Sequence, residues 1–338
     1  MKISQTSSIL KNKLFFPLLV LLLLISVILG LSLGAVNISL SEIAEMVCGG
    51  DVKESHINIM VYTRIPRVLA CAFSGAGLAV SGVLIQNVLA NPLASPNIIG
   101  VNAGAGFAVL LANILFPSAV LLVPVISFAG SFLAACIILA VGLRSSASRI
   151  TLILVGAAVS AIFNAGSDAL INFFPDSVSA YSSFRSGGFS GVTLERIFPS
   201  ILIISAAVCL SLFFTKDLDL MLLGSEQARA LGLNVRAKSL FFLMIASFLS
   251  AASVSICGMI GFVGLIVPHI MRRFVGEDSL KLIAASSLGG AVLVTAADLV
   301  SRLAFAPYEL PAGILIAFIG GPFFIFLLVG KRRKNNHA

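Results

Sequence analysis

The chain has 338 residues, 59% of them hydrophobic and only 11% charged, with a mean hydropathy of +1.10 and a formal charge of +8. No water-soluble core consumes so many apolar side chains while leaving so few charges for a surface, which excludes a soluble enzyme or binding module. The positive charge is spread along the chain in a way that reports membrane topology, not nucleic acid.

Apolar runs of about 17 to 25 residues recur from end to end, the length a helix needs to cross a hydrocarbon layer. The alternating pattern of a membrane barrel is absent. The expected fold is all-α, a polytopic membrane protein with about ten transmembrane helices set in a lipid bilayer. The first span, Leu14–Val36, follows Lys2, Lys11 and Lys13 and is too long for the apolar region of a cleaved signal peptide, so it reads as an uncleaved helix. The second, Arg64–Val88, carries Ser74, Gly75, Gly77, Ser81 and Gly82, which let helices approach closely, with Ser81, Gln86 and Asn87 as polar edges. Before the third span, Ile98–Leu115, the stretch "NVLANPLASPNIIG" holds Asn91, Pro92 and Pro96; each proline removes a donor and restricts its predecessor, predicting a break and a restart.

The fourth and fifth spans are Ala119–Leu143 and Ile150–Phe173. A Ser- and Gly-rich segment from Pro175 to Arg196 is too long for a simple turn and is expected to cover the outer mouth. After the sixth span, Ile197–Phe214, comes "LGSEQARALGLNV", a short polar helix between apolar stretches. Ser225, following Gly224, is expected to cap its first turn, Glu226 to complement the helix dipole, and Gly232 to end it left-handed. Ala228 and Leu231, three apart, share a face, with Arg229 pointing away. A helix this short is marginal alone, and two readings remain: it docks into a groove on a partner, or it lies against its own bundle.

The last four spans are Lys238–Cys257, Gly261–Phe274, Leu280–Ala304 and Ala312–Val329. The eighth holds Pro268 and is so short that neighbours must cover its freed carbonyls. Short, interrupted helices usually line something. Ser81, Gln86, Asn87, Asn91, Pro92, Gly261 and Pro268 are therefore candidate translocation-pathway residues, with tight helix packing as the other reading of the small ones. The second to fifth and seventh to tenth spans run in opposite directions, as in an inverted repeat, although their sequence echo is faint.

Ten spans put both termini on one side, where sixteen of the 22 basic residues fall; Lys53, Arg64, Arg67, Arg185, Arg196 and Arg302 fall on the other. The positive-inside rule makes the termini cytoplasmic. Cys48, Cys71, Cys136, Cys209 and Cys257 are scattered and read as small apolar packers. The chain contains no phosphate-binding loop, no metal-spaced His or Cys cluster and no nucleophile set, so it is not expected to be an enzyme. A pore or transporter remains, driven by an ion gradient or by a partner. Of the two acids within spans, Asp298 precedes Arg302 by four residues and is expected to pair with it, a proton relay being the alternative. Asp168 has Asn164 and Ser167 nearby.

The order Glu226, Ala228, Gly232 resembles the E-x-A-x-x-x-G coupling loop of ABC importer permeases. More specifically, "RIPRVLACAFSGAGLAVSG" (64–82), "NPLASPNIIGVNAGAG" (91–106), "LGSEQARALGLNVR" (223–236), "GMIGFVGLIVPHIMR" (258–272), "AADLVSRLAFAPYELPAG" (296–313) and "IGGPFFIFLL" (319–328) resemble FecCD-type permeases, which import iron-siderophores, haem and vitamin B12. The resemblance implies a type II, BtuC-like architecture: one permease domain over 1–338 with a coupling loop at about 215–238, in a homodimer or close heterodimer in the cell membrane. Two ATPase subunits would lie below and a substrate-binding protein above. It implies no cofactor in this chain, since ATP and Mg are bound by the ATPase. Carried over by position, Gly224, Ser225, Glu226, Ala228, Arg229 and Gly232 would meet the ATPase, and Arg64, Arg67 and Arg302 would dock the binding protein. His269 matches a packing position, not a haem ligand. Members often carry tryptophan around the outer "GGF" segment; this chain has none, so substrate contacts are not transferred there. The function implied is import of an iron-siderophore, with haem or vitamin B12 as alternatives. A proton-coupled transporter and a membrane scaffold are the competing readings.

Overall fold

The computed structural model describes residues 2–50, 52–117, 120–144, 149–304, 306 and 308–335. The expected start of the fourth span, Ala119, lies outside the described residues. Every regular element among them is helical. α1 (Lys2–Ser32) is followed by the short α2 (Leu40–Cys48) and α3 (Glu54–Ile59), and α3 runs through a π-helical turn, Met60–Arg64, into α4 (Ile65–Leu89). Pro66 explains the turn. It cannot bond back to the Tyr62 carbonyl and its ring crowds that group. The helix widens, and Ile65 N–H donates to the Met60 carbonyl five residues back.

A 3₁₀ turn, Pro96–Ile99, leads to α5 (Val101–Leu115), the restart expected from the paired prolines. Then come α6 (Val123–Arg144), α7 (Arg149–Phe173), the short α8 (Val178–Ser186) and α9 (Leu194–Phe213). Two short helices, α10 (Thr215–Leu222) and α11 (Ser225–Ala230), precede α12 (Val235–Cys257), α13 (Val263–Val275), α14 (Ser279–Leu303) and α15 (Ala312–Asn335).

Among the described residues, seven stretches are long and apolar enough to cross a membrane: Leu14–Ser32, Glu54–Leu89, Val123–Val141, Ile150–Phe173, Leu194–Phe213, Val235–Cys257 and Ser279–Leu303. Val101–Leu115 and Ala312–Phe326 are shorter apolar helices. α13 has 13 residues and is therefore about 20 Å long at the α-helical rise, well short of a roughly 30 Å hydrocarbon layer. Seven of the ten expected spans are thus full-length among the described residues, two lie in the shorter α5 and α13, and the tenth lies in the 24-residue α15.

The core is a layer of α4, α12, α13 and α14, and its contacts explain the small residues of α4. A Cβ on Gly75 would stand 2.3 Å from the Gly290 carbonyl oxygen, and one on Gly290 would stand 2.2 Å from that of Gly75. A Cβ on Gly82 would meet the Gly264 carbonyl oxygen at 1.9 Å. Helices α4, α13 and α14 therefore touch backbone to backbone, as small residues permit in membrane bundles. Ser81 donates to the Ala246 carbonyl of α12 at 2.8 Å and meets Ser250 Oγ, so its hydroxyl is spent inside the layer.

One end of the bundle carries α10 and α11 and is here named the hook end. At the opposite end, the segment expected to cover an outer mouth is stapled to the bundle by backbone. Met259 N–H donates to the Phe184 carbonyl at 3.0 Å, Gly188 N–H to Cys257 at 2.9 Å and Gly313 N–H to Gly187 at 3.0 Å. Phe189 is buried. α8 closes part of this end as fixed structure, beside a cavity of about 590 Å³ lined by Phe184, Arg196 and Ser255 among others.

Candidate functional site

Three places hold the residues singled out from the sequence. The first is the hook. Gly224 sits at φ 104°, ψ 156°, breaking α10 from α11, and is itself the N-cap. Ser225 is the first helical residue and makes no capping bond, which corrects the expected cap: the glycine turn takes the boundary position that serine needed. Glu226 lies in the first turn, as expected. At the far end Gly232, at φ 84°, donates to the Arg229 carbonyl at 2.9 Å, and Leu233 N–H donates to Ala228 at 3.0 Å. These two bonds are a Schellman motif, which needs a left-handed residue at Gly232.

Ala228 is 0% exposed and is the buried residue of α11, whereas Leu231 is 62% exposed. The shared apolar face expected of these two does not form, because the helix ends before Leu231. Leu222, Leu223 and Leu231 are exposed together with Glu226 and Arg229, giving a small apolar surface edged by charge. The hook rests on its own bundle through buried Ala228 and partly buried Leu233 and presents Leu222, Leu223 and Leu231 outward.

The second place is the hook end of α4. Pro268 lies within α13 and leaves the carbonyl of Gly264 without its helical donor. Gln86 Nε2 donates to that oxygen at 3.1 Å. Arg272, one turn further on, donates to Gln86 Oε1, and to Asn87 Oδ1 at 2.7 Å, while its Nε meets Glu277 at 3.1 Å. Asn87 Nδ2 approaches Ser279 Oγ at 3.5 Å. Ser81, Gln86, Asn87 and Pro268 are all buried. Expected on a translocation pathway, these residues are bonded within a single chain: Ser81 to α12, and Gln86 and Asn87 to the interrupted α13 and the start of α14. Asn91, Pro92 and Gly261 stay partly exposed, with Asn91 Oδ1 accepting from Leu93 N–H at 3.0 Å. Gln86→Met, similar in volume but unable to bond, is expected to leave the Gly264 carbonyl orphaned at about 1–3 kcal/mol, read as a lowered Tm of the detergent-purified protein.

The third place is the opposite end. Asp298 and Arg67 are nearly sealed from solvent, with side chains 4% and 9% exposed. Arg67 binds Asp298 bidentately, Nε to Oδ2 at 3.0 Å and Nη2 to Oδ1 at 3.0 Å, and its Nη1 reaches Glu309 Oε2 at 2.9 Å. The expected pair of Asp298 with Arg302 forms at 3.2 Å, but without hydrogen-bond geometry at Nε; Arg67 is the stronger partner. Arg302 also reaches the Gly30 and Leu33 carbonyls at 3.3 and 3.5 Å. Arg64, 4% exposed, donates to the Leu31 carbonyl at the end of α1 and to the Val36 carbonyl in the segment after it. All three arginines, expected to dock a binding protein, face inward in this chain and hold α1, α4 and α14 together.

The Asn164 and Asp168 noted from the sequence belong to a larger group. Asn164, Asp168 and Asn172 recur every four residues along α7 and are all exposed, next to exposed Ala157, Ala161, Ala165 and Ala169. Ser167 turns away to the Phe163 carbonyl at 2.9 Å, so it does not satisfy Asp168. A polar stripe with a carboxylate, on a helix long enough to span the bilayer, is costly against lipid and belongs beside water or another protein surface. Small neighbours permit close approach. The four-residue spacing is the signal that would have found it.

Comparison with known proteins follows the same lines. The sequence pattern of the FecCD transport family matches residues 22–330. The Fe(3+)-citrate import system permease protein YfmE of Bacillus subtilis is 36% identical over 327 residues, covering 94% of this chain and 97% of that protein. The Fe(3+) dicitrate transport system permease protein FecD of Escherichia coli is 39% identical over 278 residues, covering 82% and 87%. Among solved structures, an inward-facing metal-chelate type ABC transporter superposes with a TM-score of 0.83 at 28% identity, covering 94% of this chain and 99% of that one.

Proposed function

This chain belongs to the FecCD transport family, and on that premise we propose that it passes an iron(III) chelate of the siderophore class through the cell membrane, with its hook and termini in the cytoplasm. Members of the family are transport subunits of ABC importers, not enzymes, and work with an ATPase and a substrate-binding protein. The cargo assignment is supported by relatives whose names specify Fe(3+)-citrate import. The observation that carries the coupling role is the hook: a six-residue helix whose buried contact with its own bundle is Ala228, with Leu222, Leu223 and Leu231 outward. Such a helix gains its stability from a groove on another protein. Burying a few hundred Å² of apolar surface would contribute several kcal/mol, at about 25 cal/mol per Å².

Two copies of the chain would set their α7 stripes face to face. Asn164, Asp168 and Asn172 would then line a wet path instead of facing lipid, and the neighbouring alanines would let the helices approach. ATP binding closes the ATPase pair, draws the two hooks together and tilts the layers attached to them. The difference in hook binding between the two states is the coupling free energy. Few charges line such a path, so selection among chelates falls to the binding protein.

The test is uptake into vesicles holding the permease, its ATPase and the binding protein, with ferric citrate, a ferric hydroxamate, haem and cobalamin as cargoes. ATP-dependent uptake of the iron chelates that survives an uncoupler is expected. Loss to the uncoupler would point to gradient coupling instead, and uptake confined to cobalamin would refute the cargo. Gly232→Val is expected to insert normally yet cut ATP-driven uptake by about fivefold or more, because a β-branched residue at φ 84° strains the Schellman turn by about 1–3 kcal/mol. Gly232→Asn, which tolerates the left-handed region, should retain most activity. Wild-type uptake by the valine variant counts against the hook.

A further inference from the structure

α10 is fastened to the bundle on two sides by carboxylates that α11 does not need for its own fold. Asp217 pairs with Lys238 Nζ of α12 at 2.6 Å, and that ammonium lies 4.7 Å from the centre of the Phe214 ring. Asp219 Oδ1 accepts the backbone N–H of Ser279 at 3.0 Å. Residues two apart on a helix point to different sides, so the Asp-Leu-Asp order grips α12 with one carboxylate and α14 with the other. Between them Leu218 is wholly buried, as is Met221 a turn away.

The bond to Ser279 differs from an ordinary helix cap. α14 already has its own N-cap, Asp278, which accepts from Lys281 N–H at 3.0 Å; that backbone donor holds the Asp278 carboxyl below its usual range. The first-turn donor at Ser279 would otherwise be left to water, as such donors often are. It is taken instead by a carboxylate from a separate element, a charge-assisted bond at the positive end of the helix dipole. Ser279 continues inward: its hydroxyl lies 3.5 Å from Asn87, which with Gln86 is bound to Arg272. Contacts thus run without interruption from α10 through the start of α14 to α4 and α13.

We propose that Asp219 is the positioning residue that makes α10 and the start of α14 move as one body, delivering a pull on α11 to the α4–α13–α14 layer instead of letting the loop absorb it. This rests on the ATPase-coupling reading of the hook. Gly224 is the joint above it; below the joint, Asp219 ties the lever to the load.

The test uses the assembled transporter in proteoliposomes and reads the stimulation of ATP hydrolysis by the binding protein, a signal that must cross the membrane layer and needs no identified cargo. Asp219→Ala is expected to hydrolyse ATP but to lose about fivefold or more of that stimulation, while Asp219→Asn, which keeps the accepting oxygen, remains close to wild type. Full stimulation in the alanine variant overturns the proposal. A second variant separates the relay from misfolding: Asp219→Cys with Ser279→Cys, in a chain whose native cysteines are alanine, joined as a disulfide by a copper–phenanthroline oxidant. Cross-linking should restore stimulation and reductant should abolish it; stimulation present only in the reduced form would mean that the two elements must part, and overturns the relay. If no ATPase copurifies with the wild-type permease, the coupling reading fails and the relay with it; if it copurifies and both variants behave as wild type, only the relay fails.

Discussion

Replacing Gly82 with alanine is expected to cost at least about 3 kcal/mol of stability and to leave little folded permease after extraction. The added methyl would stand 1.9 Å from the Gly264 carbonyl oxygen and within 2.7 Å of two more atoms of that backbone. Nothing flexible lies there to give way. α13 would have to move off α4, and the Gln86 bond that serves Gly264, 3.1 Å long, would be lost with it. Gly321→Ala is the control. Gly321 is also helical, but beyond its chain neighbours and its own helix's backbone no atom of the described residues lies within 4 Å of the point an alanine methyl would occupy, so alanine there should be neutral or should stabilise by up to about 1 kcal/mol. Thermal unfolding in detergent, followed by monodispersity, compares the two. Equal Tm values would mean that the α4–α13 contact is looser than described above.

Asp298→Ala is the second large effect, expected at about 3–5 kcal/mol. The carboxylate is the shared partner of Arg67 and Arg302, and Glu309 touches Arg67 alone. Removing it leaves two sealed guanidinium groups facing each other, with Arg64 close by. Asp298→Asn keeps an accepting oxygen but removes the charge, and should fall between alanine and wild type. Combining Asp298→Ala with Arg67→Met should recover part of the loss, since the stranded charge is then gone; a double-mutant cycle measures the coupling. Additive losses in that cycle would show that the pair does not act as a unit.

Much of this arrangement is legible in the sequence because membrane spans are announced by length and hydropathy, which tertiary context rarely overrides. The helix break at Pro92 and Pro96, the short α13 and its need for outside donors, and the left-handed end at Gly232 all follow from local backbone chemistry. What the sequence does not carry is the direction in which polar side chains point. Gln86 and Asn87 look alike whether they line a path or serve a proline-freed carbonyl, and only the position of α13 decides. Arg64 and Arg302 fall at the expected end, but the carbonyls at and just after the end of α1 and the carboxylate of Asp298 have a prior claim on them. Ser225 reads as a cap because serine commonly caps; the torsion at Gly224 moves the boundary by one residue. Asp217 and Asp219 pass for loop charges, since Asp219 bonds a residue 60 positions away and such pairing leaves no local trace.

The glycine crossings of Gly75 with Gly290 and Gly82 with Gly264 bring main chains into direct contact, with no cushion of side chains between them to shear or re-pack. Sliding is thereby forbidden, and α4, α13 and α14 behave as a single stiff plate. Movement of these helices past one another is opposed at both crossings, so a rearrangement of the bundle is expected to carry them together.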